Sequence, residues 1–252
     1  MASAAVPVAR PAATVMLVRD APLGLEVFLQ RRTQAMAFAP NMTVFPGGGV
    51  DARDGELYPA LWTGPAPTWW ASRFGCPAGL AGALVGAAVR ETLEECGVLF
   101  AGPPAPAPPH NTPEAVAAAR RQLLEHRAPL ADVLAAHGWL LRADLLLPWS
   151  NWITPENRPR RYDTRFFVAA LPSGQHADDA STEVTRAGWS RPVDALTQWE
   201  LGHIELMSPT SVTLRELARC ADVPAVLAAA SAREITPIRP PASSSASPNE
   251  RR

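Results

Sequence analysis

The chain has 252 residues, enough for one large domain with a substantial core or for two small ones. Its formal charge of −1 argues against an electrostatic nucleic-acid binder, and its 23 basic residues, all arginine, exclude Schiff-base chemistry and a lysine-dependent phosphate loop. Cys76, Cys96 and Cys220 stand far apart, which predicts a reducing, cytoplasmic setting rather than a disulfide framework or a zinc site. No apolar run approaches a membrane span, and residues 1–13 lack the pattern of a signal peptide.

Residues 1–11 are rich in alanine and proline and predict a flexible tail. Ala13–Arg19 and Leu25–Arg32 read as strands joined by a hairpin turn at Ala21–Gly24. Met42–Phe45 reads as a third strand, ending at Pro46-Gly47-Gly48-Gly49, where three glycines permit close approach of backbone to a ligand or simply a tight turn. Residues 55–80 form an insertion in which Trp62, Trp69, Trp70 and Phe74 alternate with prolines; aromatics of this kind pack against a body or line a lid. A helix over Gly79–Cys96 follows, then a proline-rich linker over Gly102–Pro109 and helices near Pro113–His126 and Leu130–His137. Strands are expected over 143–153, 162–170 and 183–190, with Arg158, Arg160 and Arg161 in a loop that offers guanidinium groups to phosphate. Val193–Gly202 and Thr210–Ala221 read as helices, and residues 236–252, dominated by proline and serine, read as disordered.

The stretch Arg90–Val98 carries the chemistry. On a helix ended by Gly97, Glu91, Glu94 and Glu95 fall at i, i+3 and i+4 and share a face. Like charges at this spacing repel by roughly 0.2–0.5 kcal/mol per pair. They also crowd the helix C-terminus, where the dipole favours cations. Arg90 is the sole basic residue within eight positions on either side, unlike a solvated surface face, which mixes signs. A divalent cation held by these oxygens would remove both penalties; on these residues alone a metal site and an acidic surface are equal alternatives.

Val44–Asp51 followed by Arg90–Val98 resembles the two halves of the Nudix box, G-x5-E-x7-R-E-U-x-E-E-x-G-U with U bulky and apolar. The second half matches at Arg90, Glu91, Glu94, Glu95, Gly97 and Val98, with Thr92 at an apolar position. Five residues on from Gly48, Asp54 stands where the family has glutamate, and 35 residues instead of seven separate it from Arg90, an excess of 28. A long insertion at this point is a mark of the branch of peroxisomal-type acyl-CoA diphosphatases. Phe28–Arg32, Phe38-Ala39-Pro40, Trp149–Pro155 and Met207–Thr210 resemble that branch too. Against the coenzyme A motif of the family, Leu29 and Arg32 match while Thr33, Ala37 and Asn41 depart.

The resemblance implies an α+β fold, an α/β/α sandwich with a central mixed sheet flanked by helices, over residues 12–235. It implies hydrolysis of a diphosphate with Mg²⁺ or Mn²⁺, and CoA or acyl-CoA as the leading substrate. NADH, ADP-ribose or another dinucleotide is the alternative, followed by a non-catalytic nucleotide-binding module and an RNA-end pyrophosphohydrolase. By the family pattern Glu94 and Glu95 are the main metal ligands, Glu91 is a further ligand or the water-activating base, and the Gly48 carbonyl completes the shell. Arg90 orients Glu91 or Glu94, and Glu183 is the candidate acid from a later loop. Arg32 and Arg161 are the candidate substrate-binding residues. The expected partner is a small nucleotide-diphosphate, with no nucleic acid and no membrane; the oligomeric state is open between monomer and homodimer.

Overall fold

A computed structural model describes residues 6–34, 39–57, 59–104, 111–178 and 184–241. The expected N-terminal hairpin forms from β1 (Arg10–Ala21) and β2 (Gly24–Arg32), antiparallel with Val18 opposite Val27. Two short strands follow: β3 (Met42–Val44) pairs with β2, and β4 (Gly47–Gly49) pairs with the first half of β1. Apolar side chains of β1 point both ways. Val15 and Leu17 enter one core and Met16 and Val18 the other, so both faces of the strand are covered.

Between the two halves of the motif lie a 3-10 turn at Ala52–Gly55, β5 (Trp62–Thr63) and α1 (Pro67–Phe74), leading into α2 (Ala78–Cys96). After α2 come β6 (Ala101–Gly102), α3 (Pro113–Leu124), α4 (Leu130–His137) and β7 (Leu140–Arg142); β5, β7 and β6 form a small sheet of their own. β8 (Leu147–Ile153) and β9 (Tyr162–Ala170) are antiparallel to each other, while β9 runs parallel to β1 from Arg10–Tyr162 to Val18–Ala170. β10 (Val184–Ser190) pairs with β2, and α5 (Pro192–Glu200), β11 (Glu205–Leu206), α6 (Ser208–Leu217), α7 (Val223–Ala232) and β12 (Pro237–Ile238) complete the described chain. The main sheet has the order β11-β3-β2-β1-β9-β8-β12 and is mixed.

α1 to α4 pack on the face that receives Val15, Leu17 and Phe167, and α5 to α7 on the face that receives Met16, Val27 and Val168. This is the expected α/β/α sandwich. The tryptophan-rich insertion belongs to the first core: Trp70 is fully buried, stacks on Phe74 with ring centres 5.9 Å apart and meets Phe167 at 5.4 Å. Trp62 instead donates its indole N–H to the Pro65 carbonyl at 2.9 Å.

Four expectations are corrected. The strand read over 143–153 starts only at Leu147; before it, Ala143–Leu145 makes a 3-10 turn closed by Arg142 pairing with Asp144 at 2.7 Å. The chain read as a tail through residue 11 is already sheet at Arg10, whose N–H donates to the Arg161 carbonyl at 2.9 Å. Part of the tail read as disordered from residue 236 returns as β12, because the outer edge of β8 presents unpaired backbone groups that Pro237 and Ile238 meet opposite Asn151 and Trp152. α7, for which no element was anticipated, is a helix capped by Asp222, which accepts from the Ala225 N–H at 2.8 Å. Phe38, the linker residues 105–109 and Glu183 lie outside the described residues.

Candidate metal and active site

α2 is held by its apolar residues. Leu84, Val85, Ala88, Val89 and Leu93 are fully buried, and the helix stops at Gly97, which has φ +71° and donates its N–H to the Leu93 carbonyl at 3.0 Å. Thr92 is tolerated at an apolar position because its hydroxyl donates to the Ala88 carbonyl one turn back, at 2.7 Å.

Arg90 is the hub of the site. Its Nε and Nη2 donate to the two oxygens of Asp54 at 2.8 and 2.9 Å, a bidentate pair that bridges 36 residues of sequence. Nη1 donates to Glu91 at 2.7 Å and Glu94 at 3.0 Å, and Nη2 also donates to the Gly49 carbonyl at 2.9 Å. Asp54, whose role the sequence left open, is 2% exposed and also accepts the Asp51 N–H at 2.8 Å. It closes the 3-10 turn as a reciprocal cap. Gly86 lets that turn lie directly on α2: a Cβ there would be 2.6 Å from the Asp54 carbonyl oxygen. The inserted residues thus loop out and return, and the two halves of the motif meet.

Glu95, on the same side of the helix as Glu91, has different partners. One of its oxygens, Oε2, accepts from the Gly47 N–H at 2.7 Å and from Gln30 Nε2 at 2.5 Å. The glycines are needed here for contact. Gly47 has φ +151° and lies against the Ala13 carbonyl, and a Cβ on Gly48 would collide with the Glu91 carboxyl group. β4 pairs with β1 through this stretch, with Ala13 opposite Gly48, so the turn is fixed by sheet register.

Burial dominates the electrostatics. It pushes the carboxyl groups of Glu91, Glu94 and Glu95 above the usual carboxylate range; Arg90 pulls Glu91 and Glu94 partly back, while the neighbouring Glu91 raises Glu95 further. Burial works against the charge of Arg90 as well, yet Asp54, Glu91 and Glu94 together outweigh it and raise its pKa. Three carboxyl groups, Asp54, Glu91 and Glu94, therefore share one guanidinium, with Arg32 near enough to Glu95 to stabilise its charge. The charge deficit and the all-oxygen donor set of Glu91, Glu94, Glu95 and the Gly48 carbonyl fit a hard divalent cation. Among the described residues no three of these carboxylates already converge as a metal cluster: Glu91 and Glu94 are drawn to Arg90, and Glu95 to β2.

Of the residues anticipated from sequence, Arg90, Glu91, Glu94, Glu95 and Gly48 are brought together. Arg32 lies beside Glu95, with its Nε buried and unpartnered. Arg161 is occupied elsewhere, donating to the carbonyls of Thr154 at 3.1 Å and Pro7 at 2.6 Å. It lines a cavity of about 580 Å³ with Arg10, Arg160 and Tyr162. Gln30 and Asp54 were not anticipated as site residues. The acid three residues after Asp51 was a capping-box signal for Asp54; a polar residue within the apolar run of β2 was the signal for Gln30.

An α/β/α sandwich that seats a glutamate-rich helix against a triglycine turn defines a class, the Nudix fold. A model of the NUDT19 Nudix domain matches residues 72–219. Acyl-coenzyme A diphosphatase NUDT19 of Gallus gallus is 30% identical over 247 aligned positions, covering 79% of this chain and 65% of the relative. The protein of the same name from Homo sapiens is 29% identical, covering 79% and 62%. The chain thus spans less than two thirds of the length of these curated relatives. The crystal structure of a NUDIX hydrolase from Alicyclobacillus acidocaldarius superposes with a TM-score of 0.71 at 29% identity, covering 89% of this chain and 97% of that one. The chain belongs to the NUDT19-type Nudix hydrolase family.

Proposed function

We propose that the protein is a metal-dependent diphosphatase that cleaves the diphosphate of CoA or acyl-CoA to 3′,5′-ADP and (acyl-)4′-phosphopantetheine. The observation that carries the reading is the meeting of Arg90, Asp54, Glu91 and Glu94 in one network under the Gly47–Gly49 turn. The names of the NUDT19 relatives favour CoA derivatives over NADH or ADP-ribose. Mg²⁺ or Mn²⁺, held by Glu94, Glu95, Glu91 and the Gly48 carbonyl, would supply charge neutralisation for the diphosphate and a more acidic water.

The residues of the chain do the rest. Arg90, anchored on buried Asp54, holds Glu91 and Glu94 in fixed rotamers, so the carboxylates do not have to be ordered during the reaction. Glu91, raised by burial, is suited to take a proton from water near neutral pH. Gly48, lacking a Cβ, leaves room for the Glu91 carboxyl group to lie directly against the backbone of the turn. Arg32, with a donor unpartnered, is assigned to the anionic part of the substrate.

A substrate panel of CoA, acyl-CoA, NADH, ADP-ribose and dinucleoside polyphosphates, each with Mg²⁺ and with Mn²⁺, tests the proposal. The expected result is highest kcat/KM on CoA or acyl-CoA with release of 3′,5′-ADP. Preference for NADH or ADP-ribose would overturn the substrate assignment, and absence of cleavage across the panel would overturn the activity.

A further inference from the structure

Gln30 sits where packing alone calls for an apolar side chain. It lies on β2 between buried Leu29 and the β3 and β10 strands, is 1% exposed, and follows Val27, Phe28 and Leu29 in an apolar run. Its amide is used on one side only. Nε2 donates to Glu95 Oε2 at 2.5 Å, whereas Oε1 is buried with no hydrogen-bond partner. An orphaned buried carbonyl destabilises the fold, and a methionine or leucine of similar size would avoid it. The side chain therefore serves something other than packing.

What it serves is visible at Glu95. Gly47 N–H and Gln30 Nε2 both donate to the same oxygen, Oε2. Among the described residues Oε1 of Glu95 accepts no hydrogen bond. A carboxylate with one oxygen fully claimed and the other unclaimed is presented to a ligand through a single, fixed atom. Glu91 and Glu94 are hydrogen-bonded to a charged partner, Arg90; the two donors on Glu95 are both neutral.

We propose that Gln30 is a positioning residue for Glu95: with the Gly47 N–H it claims Oε2 and leaves Oε1 as the oxygen offered to the divalent cation. This rests on the metal-dependent reading above. The same role makes the unpartnered Oε1 of Gln30 a tolerated cost, since the amide that donates to Glu95 is neutral and does not compete with a cation for the carboxylate charge.

The test is Mn²⁺ binding to the intact protein, followed by electron paramagnetic resonance of free Mn²⁺, for wild type, Gln30→Met, Glu95→Gln and the double variant. Methionine keeps the volume and the burial and removes both the donor and the orphan carbonyl. The expected result is a Gln30→Met protein with unchanged or higher thermal stability and a Mn²⁺ Kd weakened about 10–100-fold. In the Glu95→Gln background the same substitution changes Kd by less than about twofold, because the two residues act as one unit. An unchanged Kd in Gln30→Met, or an equal weakening in both backgrounds, would overturn the proposal. A loss of stability in both Gln30→Met and Gln30→Leu, the second apolar replacement, would overturn it too, because Gln30 would then be needed for the fold itself. If wild type itself binds no Mn²⁺, the metal-dependent reading fails; if wild type binds and Gln30→Met binds equally, only the role of Gln30 fails.

Discussion

Replacing Arg90 with leucine strips three carboxyl groups of their shared partner in one step. Asp54, 2% exposed, would keep only the Asp51 N–H as a donor, at 2.8 Å. Removing one member of a buried ion pair costs about 3–5 kcal/mol, because the charge left behind is uncompensated. Side-chain exposures of 14% for Arg90, 13% for Glu91 and 15% for Glu94 let those two glutamates turn toward water. Their share is therefore discounted, and the loss falls at the lower end, about 3 kcal/mol. Set against a typical domain stability of about 5–15 kcal/mol, the variant still folds. Urea unfolding at pH 7 in the presence of EDTA measures the difference as a lower midpoint with an unchanged slope. The deficit shrinks as pH falls, since protonated carboxyl groups no longer need the guanidinium. A loss below about 1 kcal/mol, the range of a solvated surface pair, or a deficit that grows on acidification, would refute Arg90 as the buried hub.

Gly48→Ala is expected to displace the Glu91 side chain, which can rotate, so activity falls by at least about tenfold while stability changes by less than about 1 kcal/mol, measured as kcat beside thermal unfolding. In Gly47→Ala the new Cβ meets the Ala13 backbone at a positive φ, so stability itself falls by about 1–3 kcal/mol. Without metal, stability should fall as pH rises from about 4.5 through the raised values of Glu91, Glu94 and Glu95, because the folded chain holds protons that the unfolded chain has released. The lowered groups Asp51, Asp144 and Asp194 act below that window. Thermal melts from pH 5 to 8 with EDTA and with Mn²⁺ read this directly: a downward slope in EDTA that Mn²⁺ flattens is expected, and a rise in EDTA contradicts it. Truncation after residue 236 removes only exposed Pro237 and Ile238 from the described sheet, so it should cost less than about 1 kcal/mol in urea unfolding and leave kcat unchanged.

Local signals were legible in the sequence where the physics is local. Gly97 ended α2, the Ala21–Gly24 turn joined β1 to β2, and the i, i+3, i+4 spacing placed three glutamates on one helix. α7 was as local as these, with Asp222 and an early proline at its start, but its uniform alanine content gave no amphipathic period. What the sequence could not show depended on contacts across distance. The bond between Asp54 and Arg90 crosses the insertion, and Glu95 meets Gln30 across 65 residues. β12 is hidden for the same reason, since its two residues have no strand pattern and form only against the edge of β8.

Cleavage of CoA by wild type and by a Glu94→Gln, Glu95→Gln double variant, each titrated with Mg²⁺ and Mn²⁺, tests the central claim most directly. The account predicts metal-dependent release of 3′,5′-ADP by wild type and at least about a 100-fold loss of kcat/KM in the double variant, with the fold retained. Cleavage by the double variant at the wild-type rate, or by wild type in excess EDTA, would contradict it.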